Sequence, residues 1–131
     1  MSTERFEAGL AVRREVLGAE YVDQAIAGAD SFNREFQEFA TEFCWGGTWA
    51  RGVLERKTRS MLNLCMLSAL NRPHEFKLHF HGALRNGCTL EELKEVLLQI
   101  TAYCGIPAGV EAFRLAREVL KEQGIEPGEA K

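Results

Sequence analysis

The chain lacks most of what marks a metal, redox, membrane or nucleic-acid protein. Its four cysteines, Cys44, Cys65, Cys88 and Cys104, include no C-x-x-C pair, so the close sulfur spacing of zinc knuckles and redox dithiols is missing. They read instead as small hydrophobes of the core. No apolar run approaches the roughly 18 residues of a membrane span. The charged start Met1-Ser2-Thr3-Glu4-Arg5 has no apolar signal-peptide core either. A cytoplasmic, soluble chain is expected. Formal net charge is −3 and the basic residues are scattered, so the electrostatic footprint of a phosphate-backbone binder is absent. Neither nucleic acid nor membrane is an expected partner. No segment joins period-two alternation to β-branched enrichment, which argues against a sheet.

What is present is helix signal over 131 residues, read as one domain, 1–131, with a short frayed tail from about residue 125. The stretches are Glu4 to Leu17, closed by Gly18; Tyr21 to Ala29; Phe32 to Phe43; Glu55 to Leu70; Pro73 to Asn86, stopped by Gly87; Thr89 to Tyr103; and a last one with Pro107 in its first turn, ending near Gln123. Phe32, Phe36, Phe39, Ala40 and Phe43 recur at three and four and so share one helix face. Thr89-Leu90-Glu91-Glu92 is a capping box. Met61 to Leu70 is apolar nearly all round, which predicts a central helix. The class is all-α, a compact bundle of six to seven helices. The helices from Glu55 and from Thr89 carry more apolar face than one bundle covers, so a homo-oligomer is expected.

All three histidines fall in Pro73-His74-Glu75-Phe76-Lys77-Leu78-His79-Phe80-His81. At about 100° per residue, Phe76, Phe80, Ala83 and Gly87 form an apolar stripe flanked by Glu75, His79 and Asn86, while His74, His81 and Arg85 lie nearly opposite. One helix therefore cannot bring the three imidazoles together, and no metal is expected. His79, at the edge of the stripe, is either a hydrogen-bonded core residue or the chemical group of a pocket.

Six segments taken together resemble the 4-carboxymuconolactone decarboxylase family: Ala11-Val12-Arg13-Arg14-Glu15-Val16-Leu17-Gly18, Trp45-Gly46-Gly47-Thr48-Trp49-Ala50-Arg51, Arg59-Ser60, Leu78-His79, Gly82-Ala83-Leu84-Arg85-Asn86-Gly87 and Tyr103-Cys104-Gly105-Ile106-Pro107-Ala108. Their order and spacing run from about residue 9 to residue 120. The resemblance implies the helical fold shared with alkylhydroperoxidase D, assembled as trimers or hexamers. It also implies conversion of 4-carboxymuconolactone to β-ketoadipate enol-lactone and CO₂, a step of aromatic catabolism in the β-ketoadipate pathway. In that lactone the electrons left by CO₂ flow into the ring carbonyl, so the substrate is its own electron sink and no cofactor is required. An enzyme must anchor a dianion, stabilise the dienolate oxygen and see a proton delivered to carbon.

By this resemblance His79 is the catalytic candidate, as acid or as donor to the dienolate oxygen. Arg51 and Arg85 are candidate carboxylate anchors, because guanidinium forks match carboxylates. Trp45 and Trp49 are candidate pocket walls, and Glu75 beside His79 completes the substrate-contacting set. The family's peroxidase relatives carry two cysteines, a histidine and an upstream glutamate. Placing their histidine on His79 puts Arg72 and Glu75 at the cysteine positions and Ser60 near the glutamate, so a thiol-dependent hydroperoxide reductase is the weaker alternative. A non-catalytic helical oligomer that binds a small acid is the other.

Overall fold

The computed structural model describes residues 3–129. Among them the order is α1 (Glu4–Leu17), α2 (Ala19–Ala27), α3 (Arg34–Phe39), a π-helical segment (Ala40–Trp49), α4 (Arg56–Ala69), α5 (Pro73–Arg85), α6 (Leu90–Cys104) and α7 (Ile106–Glu122), with no strand. The all-α expectation holds. The chain divides into two compact units, one up to Arg59 and one from Ser60, so the division falls inside α4.

In the first unit the Thr3 hydroxyl accepts from the Phe6 amide at 2.9 Å and starts α1. Gly18, at φ 96°, takes the left-handed turn that ends it. Because Gly18 also opens the next helix, α2 begins at Ala19, two residues earlier than the sequence suggested. α1 packs on the π-helical segment, and the contact is backbone on backbone. A Cβ on Gly9 would run into the Thr41 carbonyl, and one on Gly46 into the Arg5 carbonyl. Gly46 is thus a packing glycine, not a turn.

The third stretch departs from expectation. It is α-helical only from Arg34 to Phe39 and then continues as a π-helix through the Trp-rich stretch to Trp49, where the sequence placed a helix end near Phe43. The Ala50 amide bonds to the Trp45 carbonyl at 2.8 Å, the five-residue step of a π turn. Wider turns bring residues four apart nearly into line. Phe39 stacks on Phe43 and Trp45 on Trp49, each with ring centroids 4.8 Å apart. The predicted phenylalanine stripe does not form one α-helix face: Phe32 precedes α3, Ala40 and Phe43 lie in the π-helical segment, and the four phenylalanines are exposed.

The second unit has its own core of Leu64, Phe76, Phe80, Leu93, Leu97, Ile100, Leu115 and Val119 with their neighbours. Truncating a buried phenylalanine such as Phe76 to alanine would cost about 3–5 kcal/mol. The capping box at Thr89 and Glu92 forms with both reciprocal bonds, and Gly87 takes φ 92° after α5. α4 is not the central helix predicted from its all-round apolarity. Only Ser60 and Leu64 on it are buried, and Leu62, Met66 and Leu70 are exposed, because α5, α6 and α7 already enclose the core. Leu98, Tyr103, Ile106 and Val110 are exposed as well. Of the expected frayed tail, residues 125–129 have no regular structure but Ile125 packs against the core; 130 and 131 lie outside the described residues. No helix among the described residues is long and apolar enough to cross a membrane.

Candidate active site

Proline in the first turn of α5 sets its start, and the Phe76, Phe80 and Ala83 stripe anchors it to the core of the second unit. That anchoring fixes where each polar residue of the helix points. Phe76 and Phe80 are buried; His79 beside them is partly buried; Glu75, one turn earlier, is exposed. Across from His79, α4 supplies Asn63, whose Nδ2 lies 3.4 Å from His79 Nδ1. Near the end of α5, Asn86 Nδ2 donates to Oγ of the fully buried Ser60 at 2.9 Å. α4 and α5 therefore meet along a seam with two polar contacts.

Burial holds the His79 imidazole well below its ordinary 6.5, at about 4, with the Glu75 carboxylate pulling the other way. At neutral pH the ring is uncharged. A neutral imidazole is a poor proton reservoir, yet it donates an N–H to an oxygen that is gaining charge. Of the two roles read for His79, acid or donor, a neutral ring suits the donor better.

The outer face of α5 is different. His81 Nε2 lies 3.1 Å from Glu122 Oε1, and Gln123 Nε2 lies 3.2 Å from His81 Nδ1. Lys77 donates to Glu118 and Glu122, both at 3.2 Å, which helps to hold the Glu122 carboxyl below the usual range. Arg85 is exposed and lines a shallow hollow with His81, Leu84 and Gln123. It does not join His79, in line with its position on the helix. His74 is exposed at the start of α5.

The remaining candidates lie in the first unit. Trp45 and Trp49 are buried there, stacked on each other, and the exposed Arg51 follows them. Two side chains at the seam were not singled out from the sequence as site residues: Asn63, and Ser60 as a hydrogen-bonding group. The signal was there, since polar residues inside an apolar helical run need partners when buried.

The cysteines are not uniformly the core residues expected. Cys88 is buried and Cys65 partly so, whereas Cys44 and Cys104 are exposed. Burial pushes the Cys65 thiol up, further from thiolate. Arg72 and Glu75, at the positions where the peroxidase relatives carry cysteine, are exposed. Among the described residues no group of three or more His, Cys, Asp or Glu is gathered for a metal ion.

Among the described residues the chain is all-helical, with a partly buried, neutral imidazole beside the apolar stripe of α5. The family model of the carboxymuconolactone decarboxylase family matches residues 34–118. The chain belongs to that family. It is 41% identical over 124 residues to a 4-carboxymuconolactone decarboxylase of Acinetobacter baylyi, covering 95% of this chain and 92% of that protein. It is 39% identical over 126 residues to a nitrosuccinic acid decarboxylase of Metarhizium robertsii, covering 96% of this chain and 87% of that one. A 4-carboxymuconolactone decarboxylase of Pseudomonas putida matches at 44% over 43 residues, which is 33% of this chain and 90% of that protein.

Proposed function

We propose that this chain is a cofactor-free carboxy-lyase that converts 4-carboxymuconolactone, or a close lactone acid, to the β-ketoadipate enol-lactone in aromatic catabolism. The observation that carries this reading is the 41% identity over 95% of the chain to a relative named for that decarboxylation. The neutral His79 on its apolar stripe supports it. The bond to the leaving carboxylate breaks and its electron pair passes through the ring alkene onto the lactone carbonyl oxygen. CO₂ departs, and the His79 N–H donates a hydrogen bond to the resulting dienolate oxygen. The ring carbon then takes its proton from water. Arg51 remains a candidate carboxylate anchor on guanidinium chemistry alone; Arg85, on the face of α5 that carries His81, is not one for a site at His79. Trp45 and Trp49, buried against each other, support the segment that carries Arg51. Glu75 acts on His79 and not on a carboxylate of the substrate, since like charges repel.

The enzyme works in the cytoplasm as a homo-oligomer, trimer or hexamer. The exposed Leu62, Met66, Leu70, Tyr103 and Ile106 support that assembly, because a monomer seldom leaves so much apolar surface in water. A second substrate reading has its own support in the 39% identity to the nitrosuccinic acid decarboxylase. A nitro group beside a carboxylate is also an electron sink, so the same N–H donor would serve a nitronate oxygen.

Purified protein should release CO₂ from the lactone in the presence of chelator, and kcat/KM should exceed that for nitrosuccinate by about 100-fold. The reverse preference would establish the second reading, and activity lost on chelation and restored by one divalent ion would end the cofactor-free mechanism. Sedimentation equilibrium on the same preparation should give three or six subunits; a stable monomer would refute the assembly.

A further inference from the structure

We propose that Asn63 is a positioning residue for His79, its side-chain amide donating to Nδ1 and thereby keeping the imidazole proton on Nε2, the nitrogen that donates at the reacting oxygen. The inference rests on the reading of His79 as that donor. An amide nitrogen has hydrogens to give and no lone pair to accept with, so Nδ2 lying 3.4 Å from Nδ1 requires Nδ1 to be the acceptor. In a neutral ring the proton is then on Nε2. The tautomer is set by the hydrogen bond at the other nitrogen.

The setting favours this role. Asn63 interrupts the run Met61-Leu62-Asn63-Leu64-Cys65-Met66-Leu67, on a helix that is otherwise apolar here. One turn earlier the fully buried Ser60 accepts from Asn86, so the α4–α5 seam is tied at a second level and the ring is held against a fixed neighbour. Glu75 on its own helix is a charged group acting on His79, while Asn63 of α4 presents an uncharged amide. That choice matters. A carboxylate at position 63 would accept from Nδ1–H, strip Nε2 of its proton in the neutral ring, and leave a donor only when the ring is doubly protonated. The outer face of α5 repeats the device: Gln123 lies 3.2 Å from His81 Nδ1 through its amide nitrogen, and His81 Nε2 meets the Glu122 carboxylate.

The test is the tautomer together with the pH profile of the assembled protein. Long-range ¹H–¹⁵N spectra of histidine-labelled protein, with His79 assigned by its absence in His79→Gln, should show the proton on Nε2. Wild-type kcat on the lactone should be flat from about pH 5.5 to 8.5, as a donor that stays neutral predicts. Asn63→Asp should move the proton to Nδ1 and create a new limb, with kcat falling about tenfold per pH unit above an apparent pKa near or above the ordinary histidine value. Asn63→Leu should lower kcat more than it changes KM and keep the flat profile. A proton on Nδ1 in the wild type, or an Asn63→Asp variant with unchanged tautomer and flat profile, overturns the inference. A purely structural Asn63 would lower melting temperature in both variants and create no limb. Absence of lactone turnover in the wild type would instead defeat the functional reading, and the spectrum would still decide the hydrogen bond.

Discussion

Two histidines two positions apart on α5 have opposite surroundings. His79 is flanked by the buried Phe76 and Phe80, faces the uncharged Asn63, and is held neutral by burial. His81 faces the carboxylate of Glu122, which the ammonium of Lys77 also contacts. Both rings are partly buried and meet an amide nitrogen at Nδ1, from Asn63 in one case and Gln123 in the other, so the difference lies in what else surrounds the ring. A partly buried ring beside a carboxylate ties a helix to its neighbour. A ring withdrawn from water and kept uncharged can aim an N–H at an oxygen that becomes negative only in the transition state.

The sharpest way to break this comparison is to exchange each imidazole for an amide. His79→Gln should lower kcat on the lactone by about 10²-fold or more, the scale of losing one positioned donor. Steady-state rates on protein confirmed to be assembled decide it. Near-native turnover, with loss of melting temperature alone, would make His79 a structural residue.

The next effect concerns stability. The pKa of His79 drops from 6.5 to about 4 on folding, so as pH falls the unfolded chain takes the proton first. Stability present above pH 6.5 is therefore lost between 6.5 and 4, by up to about 3 kcal/mol from this group. Denaturant midpoints measured across that window should fall less steeply in His79→Gln, which cannot take up the proton. Equal slopes would show that the ring is not desolvated.

The smallest effect is expected on the outer face. His81→Gln should change kcat by less than about threefold and stability by less than about 1 kcal/mol, because its partner Glu122 is exposed and surface pairs contribute little. If His81→Gln disabled the assembled enzyme while His79→Gln did not, the working face of the helix would be the other one.

How much of this was legible differs from residue to residue. The α5 stripe, the separation of His79 from Arg85 and His81, the Thr89 capping box and the Gly87 turn follow from local geometry, which neighbours four residues away dictate. The π-helix of Ala40–Trp49 was not legible. Nothing in that stretch distinguishes an α from a π turn until α1 lies against it with Gly9 and Gly46 in backbone contact. The periodicity of α4 misled for a related reason: apolar residues on every side allow a helix to be central, but do not say which side the rest of the chain covers. Asn63 showed only as a polar interruption, and its partner could not be read because it stands 16 residues away on another helix.

The sequence by itself determined the helical class, the places where most helices start and stop, and which residues of α5 share a face, because these depend on propensities and on a fixed angular step along the chain. It also carried the family, through motifs spread across most of its length. Only the tertiary structure decided that α5 buries its stripe in a core of α6 and α7, that α4 brings an amide to His79 and a hydroxyl to Asn86, and that His79 is neutral while His81 meets a carboxylate. The charge state of an imidazole depends on how much water surrounds it and on which dipoles face it, and both are set by segments far away in the chain.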